Sequence, residues 1–370
     1  MQKNEKKLFI DGTCLSVQRG GVARILLNFL AHLSEVPNLT IRCVVMNGSI
    51  NDLPNYANVE YVALRRPLGM KRFTRAIVEN TSLIFQIYKF SPDIVFCPRY
   101  TAPLLFKFHK PFRLVTGIWD ITYTTHPSHY RPHERIVQQG PSALAAKISD
   151  MVITCSKFDA QQIEEHYAVN RDKIHVLTLN ADEIFFKEAE ISNDFNEYLK
   201  SKNINCPYYL TLGVIYTRRM IPEIIASFVR LKKQSQISDN LQLVIVGKNL
   251  IRPTFKLEEL IKESYQYGVR YIEFIPEEFL KQIFSKSDAY LCISEVDGEA
   301  ILVKEAAALN TPVITTQMLG DGLNNNVETI ETPVTIETIS KSIVSFHNLD
   351  EKEKMRRTKI ARSHIEQIDS

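Results

Sequence analysis

The feature that most constrains the fold is a regular alternation of short apolar runs with longer amphipathic segments. In the first half, the runs KLFID, IRCVVM, DIVFCP, FRLVTGIW and MVITCS alternate with helix-like patterns such as VARILLNFLAHL. Continuous apolar strands separated by helices are typical of a parallel sheet that is covered on both faces. The first half is therefore predicted to be a doubly wound α/β domain.

The same alternation restarts in the second half. Its strand-like runs are YYLTLGV, LQLVIVG, YIEFI, AYLCIS and PVITT, whereas residues 180–206 are acidic and show no clear apolar face. We therefore predict an α/β fold with two Rossmann-like domains in series. The predicted segments are a first domain over residues 1–185, a linker over 186–206, a second domain over 207–350 and a C-terminal helix over 351–370.

The composition is that of a globular cytoplasmic protein. The 370 residues are 45% hydrophobic and 24% charged, which is ordinary for a soluble chain. No apolar run approaches the roughly 20 residues that cross a bilayer, and the first residues do not resemble a signal peptide. Six cysteines are scattered without a CxxC pair, which indicates reduced, buried thiols.

Positive charge is concentrated in one segment. The net charge of +3 is too small to indicate nucleic-acid binding, but residues 64–113 contain ten basic side chains and only two acidic ones. Arginine and lysine alternate there with phenylalanine, isoleucine and leucine, a composition that suits contact with an anionic membrane surface. The alternative is a solvated helix face that lies above core residues.

Two loops that follow predicted strands could bind an anion, because ligands of open parallel sheets lie outside the carboxyl ends of the strands. Gly20 and Gly21 stand between a strand and a helix, where backbone amides can approach a phosphate closely. Arg218 and Arg219 follow YYLTLGV and precede another helix. Two guanidinium groups suit a diphosphate. A plain turn and a solvated basic turn are the respective alternatives.

The stretch SEVDGEAILVKEAAALNTPVI, residues 294–314, contains three acids, Asp297, Glu299 and Glu305. Carboxylates are costly near a core unless a partner binds them. A carboxylate can accept two hydroxyl hydrogen bonds, as a ribose or hexose diol would supply. Alternatively, Asp297 is a partner of the helix dipole and Glu305 is a surface acid.

The stretch GIWDITYTTHPSHYRPH places Trp119 and Asp120 at the end of a strand, followed by three histidines, His126, His129 and His133. Three histidines can suggest a metal site. No cysteine or cluster of acids joins them, however, so we predict that no metal is bound.

These motifs, in this order, resemble glycosyltransferase family 4, also called glycosyl transferases group 1, which are retaining enzymes of the GT-B fold. SEVDGEAILVKEAAALNTPVI resembles the family's E-G-F-G-L-P-x-x-E-A stretch with its E-x7-E spacing. LTLGVIYTRRMI resembles Y-V-G-x-x-x-x-R-K-N, and GIWDITYTTHP resembles x-I-H-D-L-x-x-x-x-H-P. The resemblance covers nearly the whole chain and implies two Rossmann-like domains that face each other across a cleft.

The resemblance implies roles for individual residues. Glu305 would hold the donor ribose, Asp297 would face the hydroxyls of the donor sugar, and Arg219 with Arg218 would bind the diphosphate. The catalytic set that it implies is Asp297, Glu305, Arg219 and Asp120.

The remaining implied contacts divide between the two domains. Residues near Lys248 and residues 274–276 would frame the nucleotide base, and the first domain would carry the acceptor. The other implied donor-binding residues are Gly20, Gly21, Lys248, Ile275, Gly298, Glu299, Ala300 and Ile301. The implied acceptor-side residues are Trp119, Asp120 and Tyr123. The family uses no metal, so the resemblance implies no cofactor besides the nucleotide-sugar substrate.

The sequence departs from the family pattern at several positions. Asp297 replaces the first glutamate of E-x7-E, Glu299 and Ala300 replace Phe-Gly, and Trp119 replaces the cleft histidine. Tryptophan can stack on a sugar ring but cannot exchange protons at neutral pH. The chain also ends at RSHIEQIDS, where family members usually continue, so we expect a trimmed chain or a piece of a longer polypeptide.

The predicted function is retaining transfer of a sugar from a nucleotide sugar to a glycan or lipid-linked glycan. Bacterial surface polysaccharides such as lipopolysaccharide are typical acceptors of the family. The first alternative is a non-catalytic subunit that binds sugar nucleotides or acts as a scaffold, and the second is a related sugar-nucleotide epimerase. The sequence leaves the base, the sugar, the linkage and the oligomeric state open.

Overall fold

Two parallel sheets organise the chain, one in each of two units. The computed structural model describes residues 5–15, 21–46, 50–64, 79–205, 207–251, 256–295, 301–316, 323 and 327–368. The first unit comprises Met1–Pro127 and Pro132–Thr178, and the second comprises Ser128–Arg131 and Leu179–Ser370. The predicted α/β class is confirmed, because every strand pair in both sheets is parallel.

The first unit contains a seven-stranded sheet of order β3-β2-β1-β4-β5-β6-β7. Its strands are β1 (Lys6–Asp11), β2 (Leu39–Met46), β3 (Val59–Leu64), β4 (Ile94–Cys97), β5 (Arg113–Gly117), β6 (Met151–Thr154) and β7 (Ile174–Val176). Its described helices include α1 (Gly21–Ser34), α2 (Ile84–Phe90), α3 (Thr122–Thr125), α4 (Pro132–Ile148) and α5 (Lys157–Tyr167). Strands β2 and β3 lie on one side of β1, and β4 to β7 lie on the other. The carboxyl ends of β1, β4 and β5 are therefore neighbours.

The second unit contains a six-stranded sheet of order β10-β9-β8-β11-β12-β13. Its strands are β8 (Tyr208–Leu212), β9 (Gln242–Val246), β10 (Val269–Ile272), β11 (Ala289–Cys292), β12 (Val313–Thr316) and β13 (Glu328–Ile330). Its described helices include α6 (Asn193–Ser201), α7 (Ile221–Lys233), α8 (Leu257–Ser264), α9 (Leu280–Ser285), α10 (Ile301–Ala308), α11 (Ile336–His347) and α12 (Glu351–Ile368).

Both faces of the second sheet are buried, as the continuous apolar runs predicted. Tyr208 and Leu210 belong to a core cluster that includes residues of α10, whereas Tyr209 belongs to a second cluster that includes residues of α7. Alternate side chains of a strand point to opposite faces. The apolar run YYLTL is therefore explained by burial on both sides.

The predicted linker, residues 186–206, contains a helix that the sequence pattern did not reveal. Helix α6 begins after Ser192, whose side chain accepts a hydrogen bond from the Phe195 amide. Phe195 and Leu199 are buried in the core of the second unit. These two positions, four residues apart, and the partly buried Tyr198 form a narrow face toward the core. The many acidic and polar residues around them concealed this narrow apolar face.

Candidate functional site

The arginine pair lies at the carboxyl end of β8, at the centre of the second sheet. After Gly213, the chain forms a short 3-10 turn over Thr217–Arg219 and enters α7 at Ile221. A Cβ atom built on Gly213 would lie 3.1 Å from the Leu302 Cδ1 atom and 3.9 Å from the Arg219 Nη2 atom. The Arg219 guanidinium and the start of α10 therefore approach the same strand end.

Arg219 also reaches the neighbouring strand, β11. Its Nη1 group donates a hydrogen bond of 3.1 Å to the Cys292 Sγ atom. The Arg218 carbonyl accepts a bond of 3.0 Å from the Glu295 amide. These two contacts attach the arginine turn to the loop that opens SEVDGEAILVKEAAALNTPVI. The arrangement concentrates positive charge where two parallel strands end, which is a suitable position for a diphosphate.

The short segment Ser128–Arg131, which belongs to the second unit, contributes two further contacts there. Arg218 donates from Nη1 to the Tyr130 hydroxyl at 3.5 Å, and its guanidinium lies 4.8 Å from the centre of the Tyr216 ring. The Nε2 atom of His129 lies 3.3 Å from a Glu295 carboxylate oxygen. From the sequence, His129 was singled out only as a possible metal ligand, and Tyr130 was missed altogether.

Glu305 is completely buried on α10, with 0% of its surface exposed. The alternative that it is only a surface acid is therefore wrong. Helix α10 is apolar around it, since Val303 and Ala306 are also buried, and the Lys304 ammonium donates to the Leu179 carbonyl at 2.5 Å. A carboxylate in such surroundings can bind hydroxyl groups strongly, because water competes little for it.

The structure describes four of the other residues that are predicted to contact the donor. Lys248 follows β9, and its carbonyl accepts a bond of 3.0 Å from the Ile215 amide, so the loops after β8 and β9 are joined. Ile275 is a buried core residue, and Ile301 begins α10. Gly21 begins α1, and a Cβ atom there would meet open space. The remaining predicted donor residues, Gly20, Asp297, Gly298, Glu299 and Ala300, lie outside the described residues.

Trp119, in the first unit, is buried, with only 5% of its surface exposed. Its indole Nε1 group donates to the Pro98 carbonyl at 2.7 Å, and a Cβ atom on Gly117 would lie 2.6 Å from the ring. Its own carbonyl accepts from the Cys155 thiol at 3.1 Å. Trp119 therefore has a packing role that the motif comparison did not reveal, and its stacking on a sugar stays a prediction.

Asp120 is held in one orientation by three hydrogen bonds. Its Oδ1 atom accepts from the Thr122 amide at 3.0 Å and from the Thr122 hydroxyl at 2.7 Å. Its Oδ2 atom accepts from the Tyr100 hydroxyl at 3.2 Å. Tyr100 has a φ of 65°, a left-handed conformation that is strained for a bulky residue. Tyr100 was missed at the level of sequence, although its position in the loop after β4 was a usable signal.

Tyr123, the third acceptor-side prediction, is buried beside these residues. Its hydroxyl donates to the Ser142 hydroxyl at 2.8 Å, and its ring meets the Tyr100 ring edge-on at 6.2 Å. Burial is the main cause that raises the pKa of Tyr123 well above its ordinary value. Tyr123 therefore stays neutral at physiological pH, and its ring supports Tyr100, in the loop after β4, beside Asp120, in the loop after β5.

No group of three His, Cys, Asp or Glu side chains capable of holding a metal occurs among the residues that the structure describes, and metal independence stays a prediction. In the same part of the chain, none of the helices combines the length and the apolar character that crossing a bilayer requires.

Solved structures with the same fold cover almost the whole chain. WaaG, a glycosyltransferase involved in lipopolysaccharide biosynthesis, matches with a TM-score of 0.72 and 14% identity over 97% of this chain and 95% of that one. Anabaena Alr3699/HepE in complex with UDP and glucose matches with a TM-score of 0.68 and 15% identity, over 98% and 95% of the two chains. Sucrose-phosphate synthase from Thermosynechococcus elongatus matches with a TM-score of 0.69 and 13% identity, over 99% and 98%.

Among curated protein sequences, none matches this chain significantly. Two family models match it in succession. Residues 19–178 match the model described as Glycosyltransferase Family 4, and residues 194–363 match the model described as Glycosyl transferases group 1. The two matches follow the order of the motifs and together span both units. The chain therefore belongs to the family 4, group 1 glycosyltransferases and has their GT-B fold.

Proposed function

We propose that this protein transfers a sugar from a nucleotide-sugar donor to a glycan or lipid-linked glycan acceptor, with retention of anomeric configuration. The observation that carries the proposal is the position of Arg218 and Arg219 at the carboxyl end of β8, beside β11, together with the complete burial of Glu305 on α10. The Anabaena structure with UDP and glucose makes a uridine diphosphate sugar the first donor to test.

In the proposed reaction, the bond between the anomeric carbon and the phosphate oxygen breaks, and its electron pair leaves with the nucleoside diphosphate. Arg219 and Arg218 offset the charge that develops on the diphosphate, because their guanidinium groups can donate to several oxygens. An acceptor hydroxyl oxygen bonds to the same face of the anomeric carbon. Its proton passes to the departing phosphate oxygen, so the step needs no metal.

Glu305 holds the donor ribose in this proposal, and Asp297 faces the donor sugar, as the family resemblance implies. Asp120, fixed by Tyr100 and Thr122, accepts hydrogen bonds from the acceptor on the first unit. We further propose that the acceptor belongs to a bacterial surface polysaccharide such as lipopolysaccharide. The protein would then work in the cytoplasm, at the inner face of the membrane.

A donor screen followed by a turnover assay tests the proposal. We expect one family of UDP, GDP, ADP, CMP or dTDP sugars to raise the melting temperature of the protein, because binding to the native state raises stability by mass action. The stabilising donor should then be consumed in the presence of a glycan acceptor at a rate that EDTA does not change. Absence of any stabilising donor would contradict the proposal.

A non-catalytic donor-binding subunit is the second candidate, and one observation favours it. Trp119 stands where the family has a histidine, and its indole is bonded to Pro98 within the interior. Tight donor binding without transfer or hydrolysis, across acceptors that include lipid-linked glycans, would support this candidate over the enzyme.

We expect Glu305→Gln to weaken donor binding about 10- to 100-fold, because the amide cannot supply the charge-assisted bonds of a carboxylate. The measurement is the dissociation constant of the donor identified by the screen. Glu331→Gln is the matched control, since Glu331 is an exposed acid of the same unit. Equal affinity in Glu305→Gln and the wild type would remove Glu305 from the ribose site.

We expect Tyr100→Phe to raise the acceptor KM about 5- to 10-fold, the effect of losing one hydrogen bond to a carboxylate, while donor affinity stays unchanged. Tyr209→Phe removes a different tyrosine hydroxyl bond, the one to the His347 ring in the second unit, and serves as the control. If both variants behave alike, Tyr100 does not position Asp120 for the acceptor.

A further inference from the structure

Four large apolar side chains are exposed together on the first unit. Phe85, Leu104, Leu105 and Phe108 have 65%, 50%, 43% and 81% of their surfaces exposed; we call this set the Phe108 patch. A single exposed apolar residue is ordinary on a protein surface, but a group on adjoining segments indicates a contact surface.

Hydrogen bonds join the two segments that carry the patch. The Leu104 amide donates to the Asn80 side-chain carbonyl at 2.8 Å, just before helix α2. From α2, the Tyr88 hydroxyl donates to the His109 carbonyl at 3.0 Å, and the Tyr88 and His109 rings stack with an interplanar angle of 7°. The patch residues therefore lie on neighbouring parts of one surface.

A buried side chain fixes the turn that carries the patch to the core of the first unit. The 3-10 turn Leu104–Lys107 buries Phe106, which is 2% exposed. The Phe106 ring meets the buried Phe112 ring edge-on at 4.9 Å. Because Phe106 already packs the turn against the core, folding does not require Leu104, Leu105 and Phe108 to be exposed. Their exposure therefore indicates contact with an external partner.

Basic side chains border the patch. Lys107 lies 5.8 Å from the centre of the Phe108 ring, and Lys89 is exposed on α2, four residues after Phe85. Lys110 forms an ion pair with Asp150 at 2.5 Å. The basic residues Arg65, Arg66, Lys71, Arg72 and Arg75 of the same segment lie outside the described residues. Lysine is depleted in protein–protein interfaces, whereas apolar residues bordered by lysine suit anionic lipid.

We propose that the Phe108 patch is a membrane-docking surface, in which Phe85, Leu104, Leu105 and Phe108 enter the headgroup boundary of an anionic bilayer while Lys89 and Lys107 contact lipid phosphates. The partner is the lipid surface itself. The inference goes beyond the proposed transfer chemistry, because it depends on the exposed surface of the first unit and on none of the donor residues. It adds a physical means of meeting a lipid-linked acceptor.

Cosedimentation with vesicles tests the surface. The full chain is mixed with vesicles of phosphatidylcholine alone or of phosphatidylcholine with phosphatidylglycerol, an anionic lipid whose surface potential attracts clustered lysines. We expect binding to the anionic vesicles only, weakened at least fivefold by 0.5 M salt because screening shortens the range of the lysine–phosphate attraction. The double variant Leu104→Ser/Phe108→Ser should lose at least nine-tenths of the binding.

Met355→Ser is the matched control, since Met355 is 61% exposed on a helix of the second unit, and it should bind as the wild type does. Lys107→Gln should reduce both binding and its salt dependence. Equal vesicle binding by the double variant and the wild type would overturn the proposal. The proposal would also be overturned if the wild type sedimented without vesicles and the double variant did not, because that result indicates self-association.

The melting-temperature shift caused by the donor is measured for every variant in the same experiment. An unchanged shift together with lost vesicle binding identifies a docking defect in a folded protein. No vesicle binding by the wild type, with a normal donor shift, would overturn the docking surface and leave the proposed transferase function intact.

Discussion

Arg219→Ala lowers the rate of sugar transfer by about 10²- to 10³-fold, the loss expected when one preorganised donor to a developing oxyanion is removed. Arg219 lies over the ends of two adjacent strands, bonded to Cys292 at 3.1 Å and close to Gly213. Because these contacts orient the guanidinium before the donor binds, its stabilisation of the leaving diphosphate needs little reorganisation. The measurement is transfer at saturating donor and acceptor, so that the loss is assigned to kcat.

Two further variants separate charge from geometry. Arg219→Lys keeps the charge but loses the planar fork, and it should recover only part of the rate. Arg230→Ala removes an exposed arginine from α7 of the same unit, and it should retain the wild-type rate. A kcat within twofold of the wild type for Arg219→Ala would show that Arg219 does not contact the leaving group.

Gly247→Ala lowers the free energy of unfolding by about 3 kcal/mol or more, through combined steric overlap and backbone strain. A Cβ atom at this position would lie 1.9 Å from the Gly213 carbonyl oxygen. The contacted atom is backbone and cannot rotate away. Gly247 also has a φ of 147°, which side chains disfavour. The closely approaching loops after β8 and β9 would have to separate.

Urea unfolding followed by far-ultraviolet circular dichroism measures this effect as a lower midpoint. Gly140→Ala is the control, because a Cβ atom built on Gly140, in α4, would meet no heavy atom within 4 Å outside its own helix and chain neighbours. Alanine there should change stability by less than about 0.5 kcal/mol, because the helix preference of alanine is opposed by the restriction that Pro141 places on the residue before it. The only tryptophan, Trp119, lies in the first unit, so its fluorescence reports that unit separately. Unchanged midpoints for Gly247→Ala would mean that the β8 and β9 loops do not approach as described.

The sheets were predictable because their signal is local. Runs such as LVIV are apolar at consecutive positions, which is typical of a short strand buried on both faces, and β9 is buried along its whole length. Helix α6 was not recognised, because only Phe195, Tyr198 and Leu199 face the core and the acidic residues around them made the composition typical of a linker. A narrow apolar face carries little periodic signal even when its burial is complete.

The candidate site was predictable only in part. The position of Arg218 and Arg219 after a strand followed from the strand–turn–helix pattern, and their place at the carboxyl end of β8 agrees with it. The burial of Trp119 did not follow, since the space for its ring depends on Gly117 and Pro98. Tyr100 was missed because its contact with Asp120 requires β4 and β5 to be neighbours.

The sequence by itself determined the two parallel α/β units and the family, since apolar periodicity and strand–loop–helix motifs are properties of contiguous residues. Only the tertiary structure decided which side chains meet. It brought Arg219 to Cys292, buried Glu305, and fixed Asp120 by Tyr100. The physical reason is that these contacts depend on strand order and register, which arise from hydrogen bonding between strands that are distant along the chain.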